Sequence, residues 1–334
     1  MYLTFEQIKE ITKGATRVEE DHGAYRFYRF TEAQTEVYRK AAELDPTKNH
    51  FYTKTHATSG VRLAFCTDSR SLRFDFEILS GGSSRTFAGF DLYQDGLMTG
   101  HSNVEHTHIK SGHIDFPLSE GEKTVELYLP WSAITMLKNV ELDDGAKVKS
   151  ALRGRTMICF GDSITQGYDA AYPSMSYACR IARLLDADEV NKGIGGEIFN
   201  PPLSAQPDSV TPDLITVAYG TNDWSKCTRE ELFQNAKTFY TNLSHLYPTV
   251  PIFAITPICR LSGNRSNTPF GSPCINVDAV IQEACEGLAN VTPINGWRLT
   301  PGVKDFYADQ WLHPNDLGFG VYAANLYREL SKYI

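Results

Sequence analysis

The pattern of hydrophobic and polar positions changes near the middle of the chain. In the first 150 residues, short runs rich in β-branched and aromatic residues alternate with Gly, Ser, Asp and Asn breaks. This spacing is typical of an antiparallel β-sandwich or barrel. The predicted strands are Val61 to Cys66, Leu72 to Leu79, Thr86 to Gln94, His106 to Ile109 and Thr124 to Leu129.

One of these runs, Arg73-Phe74-Asp75-Phe76-Glu77-Ile78, alternates strictly between polar and apolar residues. Such alternation predicts a strand with one solvated face and one buried face. Residues Thr31 to Ala42 instead predict a short helix near the N-terminus.

Beyond the polar, turn-like segment Asp143 to Ser150, the pattern becomes strand, loop and helix in repetition. Continuous apolar strands of this kind are buried on both faces, as in a parallel sheet. We therefore predict two domains: a β-sandwich over residues 1–150, and a three-layer α/β domain with a mainly parallel sheet over residues 151–334. The predicted strands are Thr156 to Phe160, Leu214 to Tyr219 and Pro251 to Thr256, and the predicted helices are Tyr177 to Leu185, Arg229 to Tyr247, Val277 to Leu288 and Asp316 to Tyr333.

Composition agrees with this division. A chain of 334 residues is long enough for two hydrophobic cores, and no segment approaches the roughly 18 unbroken apolar residues of a membrane span. The net charge of −8 disfavours nucleic acid and anionic membranes as partners. A neutral or weakly polar small molecule fits better.

The seven cysteines are scattered and include no Cys-x-x-Cys pair. This usage predicts reduced, mostly buried thiols. Because the first residues also lack the pattern of a secretory signal, a cytoplasmic location is favoured, and a secreted protein with a trimmed signal is the alternative.

Three polar blocks follow predicted strands or precede a predicted helix in the second half. They are Gly161-Asp162-Ser163, Gly220-Thr221-Asn222-Asp223 and the segment from Asp309 to His313. The carboxyl ends of parallel strands collect ligands because loops and helix N-termini meet there. Acyl transfer needs a nucleophilic hydroxyl, a base, and donors for the oxyanion. The three blocks together offer all of these groups.

In these blocks the chain resembles the GDSL/SGNH hydrolase family. The resemblance covers the second half of the chain and implies the flavodoxin-like SGNH fold. It implies that Ser163 is the nucleophile and also a backbone donor to the oxyanion, that Asn222 is a side-chain donor and that His313 is the general base. Gly196 is the implied second backbone donor, and Gly195 is its alternative.

The acid behind the histidine departs from the family pattern. The family places it three positions before the histidine, where this chain has Gln310, and Asp309 lies four positions before. Either Asp309 supports His313, or Gln310 orients the ring, or the enzyme uses a Ser-His dyad. We favour Asp309, because a carboxylate both fixes the tautomer and stabilises the imidazolium.

Aromatic residues beside the blocks are candidates for substrate contact. These are Tyr168, Tyr172, Trp224 and Trp311, of which Trp311 is the preferred candidate. Tyr and Trp at a pocket mouth offer flat platforms for sugar rings, and the alternative for each is core packing.

No cofactor and no metal are predicted. The glycines from Gly193 to Gly196 lack the full Gly-x-Gly-x-x-Gly pattern of a dinucleotide site. Four histidines lie close together in sequence in the first half, and two of them, His106 and His108, share a face if their segment is a strand. Without a complete ligand set, a solvated face is the simpler interpretation. The four histidines are His101, His106, His108 and His113.

The first half resembles the jelly-roll domain that precedes the catalytic domain in some bacterial SGNH carbohydrate esterases. This resemblance implies a serine esterase acting on short-chain esters, acetyl above all, of a small molecule or oligosaccharide. The alternatives are a thioesterase, lysophospholipase or acyltransferase of the same family, and an inactive glycan-binding protein. The sequence leaves the oligomeric state open.

Overall fold

A computed structural model describes all residues from 1 to 334. Two antiparallel sheets come first, and a parallel sheet flanked by helices follows. The strands are β1 (Thr12–Lys13), β2 (Arg17–Asp21), β3 (Ala24–Tyr28), β4 (Arg62–Thr67), β5 (Ser71–Gly81), β6 (Phe87–Gln94), β7 (Leu97–Glu105), β8 (Ser111–Pro117), β9 (Lys123–Tyr128), β10 (Ala133–Leu142), β11 (Lys149–Ser150), β12 (Arg155–Gly161), β13 (Ala187–Gly193), β14 (Leu214–Ala218), β15 (Ile252–Ile255) and β16 (Val291–Ile294). The helices are α1 (Phe5–Ile11), α2 (Glu32–Leu44), α3 (Asn49–Thr55), α4 (Ser163–Gln166), α5 (Tyr177–Leu184), α6 (Pro201–Ser204), α7 (Thr221–Lys226), α8 (Arg229–Leu246), α9 (Val277–Cys285) and α10 (Asp316–Leu330).

The two antiparallel sheets enclose one hydrophobic core. One sheet has the order β2-β3-β10-β5-β8, and the other has the order β1-β4-β9-β6-β7 with β11 beside β4. Strand β5 alternates between buried and partly exposed residues, as its sequence predicted. Its Phe74 and Phe76 pack against Phe90 of the facing sheet. Burial of these rings is what joins the sheets.

One predicted strand is wrong. Residues 106–109 form a turn after β7, so His106 and His108 do not lie on a strand face. The real strand, β7, pairs only with β6 and forms the edge of its sheet. None of its residues is buried, so no apolar alternation marks it in the sequence.

The second half contains a five-stranded sheet of order β13-β12-β14-β15-β16, in which every pair is parallel. Side chains of β12 alternate between its two faces. Ile158 and Phe160 pack with α8 and α9, whereas Met157 and Cys159 pack with α5 and α10. The predicted three-layer α/β arrangement is therefore confirmed. No helix combines the length and apolar character that crossing a bilayer requires, and all seven cysteines are free.

Helices α2 and α3 precede most of the sandwich in sequence but pack against the α/β half. Phe30 and Tyr38 belong to the same buried cluster as Ile158 and Phe160. The guanidinium of Arg29 is fully buried there and donates to the carbonyls of Lys54 and Ala57. It also donates to two carbonyls of β13, those of Asn191 and Gly193. Arg29 thus fastens α3 to the parallel sheet.

We expect Arg29→Met to lower the free energy of unfolding by about 3 kcal/mol or more, because four buried carbonyls lose their donor. Urea unfolding followed by circular dichroism measures this loss. Arg39→Ala is the matched control, since Arg39 forms only exposed ion pairs on α2, and it should change stability by less than about 0.5 kcal/mol. Equal urea midpoints for the two variants would contradict the role given to Arg29.

Candidate active site

The three polar blocks meet at the carboxyl edge of the parallel sheet. Strand β12 ends at Gly161 and runs into α4, while its neighbour β14 ends at Ala218 just before α7. Gly161 permits this close approach, because a Cβ there would lie 2.0 Å from Thr165 Oγ1 and 2.8 Å from the carbonyl oxygen of Ala218. The glycine of the first block is therefore a packing requirement.

Ser163 is the first residue of α4, so its backbone N–H has no acceptor within the helix. Asp162 caps the helix by accepting from the N–H of Ile164 at 2.9 Å. Burial raises the pKa of Asp162 to about 6. This arrangement leaves both the Ser163 hydroxyl and its N–H available for chemistry.

A continuous chain of hydrogen bonds joins Ser163, His313 and Asp309. Ser163 Oγ lies 2.8 Å from His313 Nε2, and His313 Nδ1 lies 2.7 Å from Asp309 Oδ2. The other oxygen of Asp309 accepts from the N–H groups of Trp311, Leu312 and His313. Burial acts to raise the pKa of Asp309, but these hydrogen bonds outweigh it and hold that pKa below its usual range. Asp309 is therefore ionised while it orients the ring.

Gln310 does not reach the histidine ring. It is exposed, its side chain forms no hydrogen bond, and its backbone has a φ of 65° in the left-handed region. This turn accommodates the additional residue of the loop, so that a carboxylate four positions before His313 still meets Nδ1. Of the three alternatives for the acid, the geometry matches Asp309.

The candidate oxyanion donors differ in their present partners. The N–H of Gly195 donates to Gln166 Oε1 at 2.7 Å and is thus occupied. Gly196 has a φ of 87°, and its N–H has no acceptor in the structure. Asn222 Nδ2 donates one hydrogen to the carbonyl of Glu197 at 3.0 Å and keeps a second one free. The geometry fits Gly196 and Asn222 better than Gly195.

Two lysines fix the peptide groups around Gly196. Lys54 Nζ of α3 donates to the carbonyl of Gly195 at 2.6 Å, and Lys226 Nζ of α7 donates to the carbonyl of Gly196 at 2.5 Å. The Gly195 carbonyl and the Gly196 N–H belong to one trans peptide unit and point in opposite directions. Lys54 therefore holds this N–H pointing away from α3, and its positive charge polarises the same peptide.

Asp223 connects two loops of the site, the one that contains Gly196 and the one that contains Asn222. Its two oxygens accept from the N–H groups of Phe199 and Gly220, each at 3.0 Å. Burial raises its pKa to about 7. This side chain connects the loop of Gly196 with the loop of Asn222.

A second carboxylate lies beside the histidine. Asp169 Oδ2 is 3.7 Å from His313 Nδ1, and both oxygens of Asp169 accept from the guanidinium of Arg85, at 2.5 and 2.7 Å. Asp169, Asp309 and His313 offer ligand atoms within 4.8 Å of one another, as a metal site would. These atoms are already committed to Arg85 and to the Nδ1 hydrogen bond, so their contacts fit an acid-base site better than a metal site. Arg85 comes from the sandwich.

The predicted aromatic contacts divide into two groups. Trp311 and Tyr172 are 39% and 36% exposed. Trp311 lies beside Asp309, to which its N–H donates, whereas the Tyr172 ring packs against His101 of β7, 4.4 Å between centroids. Tyr168 is buried, stacks on the His313 ring with centroids 5.5 Å apart, and accepts from the N–H of Ser84. Trp224 is fully buried, and its Nε1 donates to the carbonyl of Ser272. The prediction that Trp224 contacts substrate is wrong, since the ring fills the core beneath α7.

The four histidines of the sandwich are dispersed. His101 and His113 pair with Asp91 and Asp75, respectively. His106 Nε2 meets the carbonyl of Arg85, whereas His108 is exposed. None of them belongs to a group of three metal-ligating side chains.

Four residues that border the site were not predicted from the sequence: Lys54, Arg85, Asp169 and Arg260. Asp169 carried a weak signal, because it stands six residues after Ser163. The others are distant in sequence from Ser163 and carry no motif.

Residues 159–321 match the GDSL-like Lipase/Acylhydrolase family. The second half of the chain belongs to this family. The match includes Ser163, Asn222 and His313, whereas helices α2 and α3 and the whole sandwich lie outside it. No curated protein sequence matches the chain.

Solved structures extend the likeness to the whole chain. The salicylyl-acyltransferase SsfX3 from a tetracycline biosynthetic pathway aligns over 96% of this chain and 94% of its own, with a TM-score of 0.81 and 22% identity. A protein of Bacteroides ovatus described as a GDSL-like lipase aligns over 99% and 97%, with a TM-score of 0.76 and 19% identity. A family two carbohydrate esterase from Clostridium thermocellum, in complex with cellohexaose, covers 83% and 93%, with a TM-score of 0.64 and 19% identity. At these identities the likeness establishes a common fold.

We expect Asp309→Asn to lower kcat by about 10³-fold or more, since an amide cannot stabilise the imidazolium. Initial rates with 4-nitrophenyl acetate measure the effect. Gln310→Gly is the matched control, because glycine keeps the left-handed backbone and removes only the side chain. A Ser-His dyad would be indicated if Asp309→Asn kept most of the activity.

We expect Lys54→Met to lower kcat by about tenfold or more, because the Gly196 N–H loses the charge that orients and polarises its peptide. Burial, then the nearby Lys226, lower the pKa of Lys54 to about 8, and Glu197 opposes them. Deprotonation of Lys54 removes the positive charge that polarises this peptide, so kcat of the wild type should fall as the pH rises through about 8. A pH-rate profile measures this limb.

Lys48→Met is the control for Lys54→Met, since Lys48 is an exposed lysine just before α3. The alkaline limb should persist in this control and disappear in Lys54→Met. A limb of equal size in both variants would show that another group produces it.

Proposed function

We propose that the protein is a serine esterase that hydrolyses short-chain esters, acetyl esters of carbohydrates above all, through an acyl-enzyme on Ser163. The observation that carries this proposal is the unbroken hydrogen-bond chain from Ser163 through His313 to Asp309. Such a chain activates a serine hydroxyl at neutral pH. The arrangement also leaves the Gly196 N–H and one Asn222 hydrogen without an acceptor, as an oxyanion site requires.

The mechanism follows from these contacts. Ser163 Oγ attacks the ester carbonyl while His313 Nε2 takes its proton, and Asp309 stabilises the imidazolium. The N–H groups of Ser163 and Gly196 and the amide of Asn222 hold the oxyanion. His313 then returns the proton to the departing alcohol, which leaves an acyl-enzyme. Water activated by His313 releases the acid and restores Ser163.

Three observations favour a carbohydrate as the alcohol. The exposed ring of Trp311 lies beside Asp309, and aromatic faces suit sugar rings. A structural neighbour is a carbohydrate esterase in complex with cellohexaose. The first half also contains two packed antiparallel sheets, which supports the jelly-roll type of domain that the sequence resemblance to carbohydrate esterases implied.

A second candidate is an acyltransferase or thioesterase that takes a larger acyl group. A groove of about 580 Å³ lies beside Gly196, between α2 and the segment Gly196 to Pro202. Phe51 and Ile198 are among its apolar lining residues. Its size suits a small organic group. The acyltransferase SsfX3 has the same fold, so this candidate is tested together with the first.

We expect wild-type enzyme to hydrolyse 4-nitrophenyl acetate and Ser163→Ala to lose about 10³-fold or more of the rate. Ser266→Ala, on an exposed loop, is the matched control and should retain wild-type turnover. Rates that fall steadily from acetate to octanoate support a deacetylase, whereas rates that rise support the second candidate. Acetate release from acetylated xylan, mannan and simple acetylated sugars then identifies the alcohol. Turnover by the wild type no faster than the uncatalysed rate would leave the glycan-binding role, and equal turnover above that rate by both proteins would contradict the role of Ser163.

A further inference from the structure

Arg260 is a nearly buried arginine without an acidic partner. It lies in the loop after β15, is 6% exposed and forms no ion pair. The other fully buried arginines are compensated: Arg62 pairs with Glu126 and Asp188, and Arg29 donates to four carbonyls. A buried charge that lacks a partner is costly. Because this charge lies beside the reaction centre, we looked for a ligand that Arg260 could bind.

The guanidinium of Arg260 is only partly engaged. Its Nη1 donates to the carbonyl and the hydroxyl of Thr221, at 3.1 and 3.3 Å, and its Nε donates to Ser262 Oγ at 3.2 Å. Nη2 donates to no protein atom, and it is not among the unpaired atoms that are sealed from solvent. An arginine has five N–H hydrogens in a fixed fork. The two on Nη2 therefore face an accessible space.

This space borders the reaction centre. Thr221, which Arg260 contacts, directly precedes the oxyanion donor Asn222. The guanidinium carbon lies 4.9 Å from the ring centroids of both Trp311 and Trp224. Trp311 in turn donates its N–H to Asp309, and its carbonyl accepts from the N–H of Leu261. Arg260 is thus held between the oxyanion loop and the histidine loop.

The charge of Arg260 is not balanced by its surroundings. The nearest like charge is Arg265, and the acidic groups that act on Arg260 at longer range are Asp162 and Asp309. Asp309 is committed to His313, and Asp162 accepts from the N–H of Ile164. Neither carboxylate therefore accepts a hydrogen bond from Arg260, and Nη2 keeps its two hydrogens for a further partner.

We propose that Nη2 of Arg260 binds a carboxylate on the alcohol part of the ester, so that the preferred substrates are short-chain esters of acidic alcohols. This inference rests on the proposed function, because a short acyl group leaves only the alcohol to carry the charge. A planar carboxylate suits an arginine fork that is already fixed by Thr221 and Ser262. The exposed ring of Trp311 lies beside the same position. In the proposed complex it packs against the part of the alcohol that bears the carboxylate.

The test compares two esters that share the acetyl group and differ only in the charge of the alcohol: phenyl acetate and 3-acetoxybenzoate. The readout is the ratio of their kcat/KM values, each divided by its hydroxide-catalysed rate. This ratio cancels any general damage to the catalytic groups. We expect the wild type to favour 3-acetoxybenzoate by about tenfold or more, and Arg260→Gln to abolish the preference, mainly through KM.

Arg265→Gln is the matched control, because Arg265 is an exposed arginine on the same loop and should leave the ratio at its wild-type value. Arg260→Lys should retain part of the preference, since the charge remains and the fork is lost. The inference is overturned if the wild type shows no preference, or if Arg260→Gln slows both esters equally. The latter result would mean that Arg260 supports Thr221 and the oxyanion only.

A measurement on the unmodified enzyme covers the case in which Arg260→Gln fails to fold. Inhibition of phenyl acetate turnover by 3-hydroxybenzoate should be about tenfold stronger than inhibition by phenol, and should weaken as salt is added. Equal inhibition by the two alcohols would overturn the inference. Failure of the proposed function is distinct: in that case the wild type does not cleave phenyl acetate, or Ser163→Ala cleaves it as well.

Discussion

The orientation of one peptide group, between Gly195 and Gly196, depends on contacts from both halves of the chain. Gln166 of α4 binds the Gly195 N–H, and Lys54 of α3 binds the Gly195 carbonyl. Arg29 binds the carbonyls of Lys54 and of β13, so the lysine cannot move independently of the sheet. Peptide planarity then leaves the Gly196 N–H a single direction. Because preorganised donors need no rearrangement during reaction, this rigidity matters more than any single contact energy.

The sandwich takes part in the site as well as covering the parallel sheet. Ser84 donates to the hydroxyl of Tyr168, whose ring stacks on His313, and Arg85 binds Asp169 through both carboxylate oxygens. His106 meets the carbonyl of Arg85 from the neighbouring turn. The family match begins at residue 159, so it includes Asp169 and excludes the arginine that neutralises it. The catalytic half alone would carry an uncompensated carboxylate beside the histidine.

Local sequence determined the parts of this site that lie within one motif. Gly161 and Ser163 follow from a strand that must turn sharply into a helix. Asp309 was favoured despite its unusual spacing because only a carboxylate supplies both functions of the acid, and its oxygen lies within hydrogen-bond distance of His313 Nδ1. Trp224 was misassigned because it was judged by its nearness to Asn222 in sequence. Residues close together on a helix point in different directions, so this nearness does not show that Trp224 faces the pocket. Lys54 and Arg85 could not be found at all, since their role arises from tertiary contacts between distant segments. Strand β7 was not predicted because it is an exposed edge strand, and its sequence therefore has no apolar pattern.

The charges around His313 make Arg260 distinctive. Asp309 and Asp169 bring two negative charges, and Arg85 offsets the second one. In the proposed mechanism, the attack by Ser163 creates an imidazolium whose positive charge Asp309 balances, and an oxyanion whose negative charge neutral N–H donors must hold. Arg260 forms no ion pair, and its Nη2 has no acceptor in the protein. Because Arg260 is only 6% exposed, its charge is weakly screened by water and acts over several ångströms. It therefore either adds to the oxyanion stabilisation or selects an anionic substrate, and its free Nη2, directed at accessible space rather than at Thr221, favours selection.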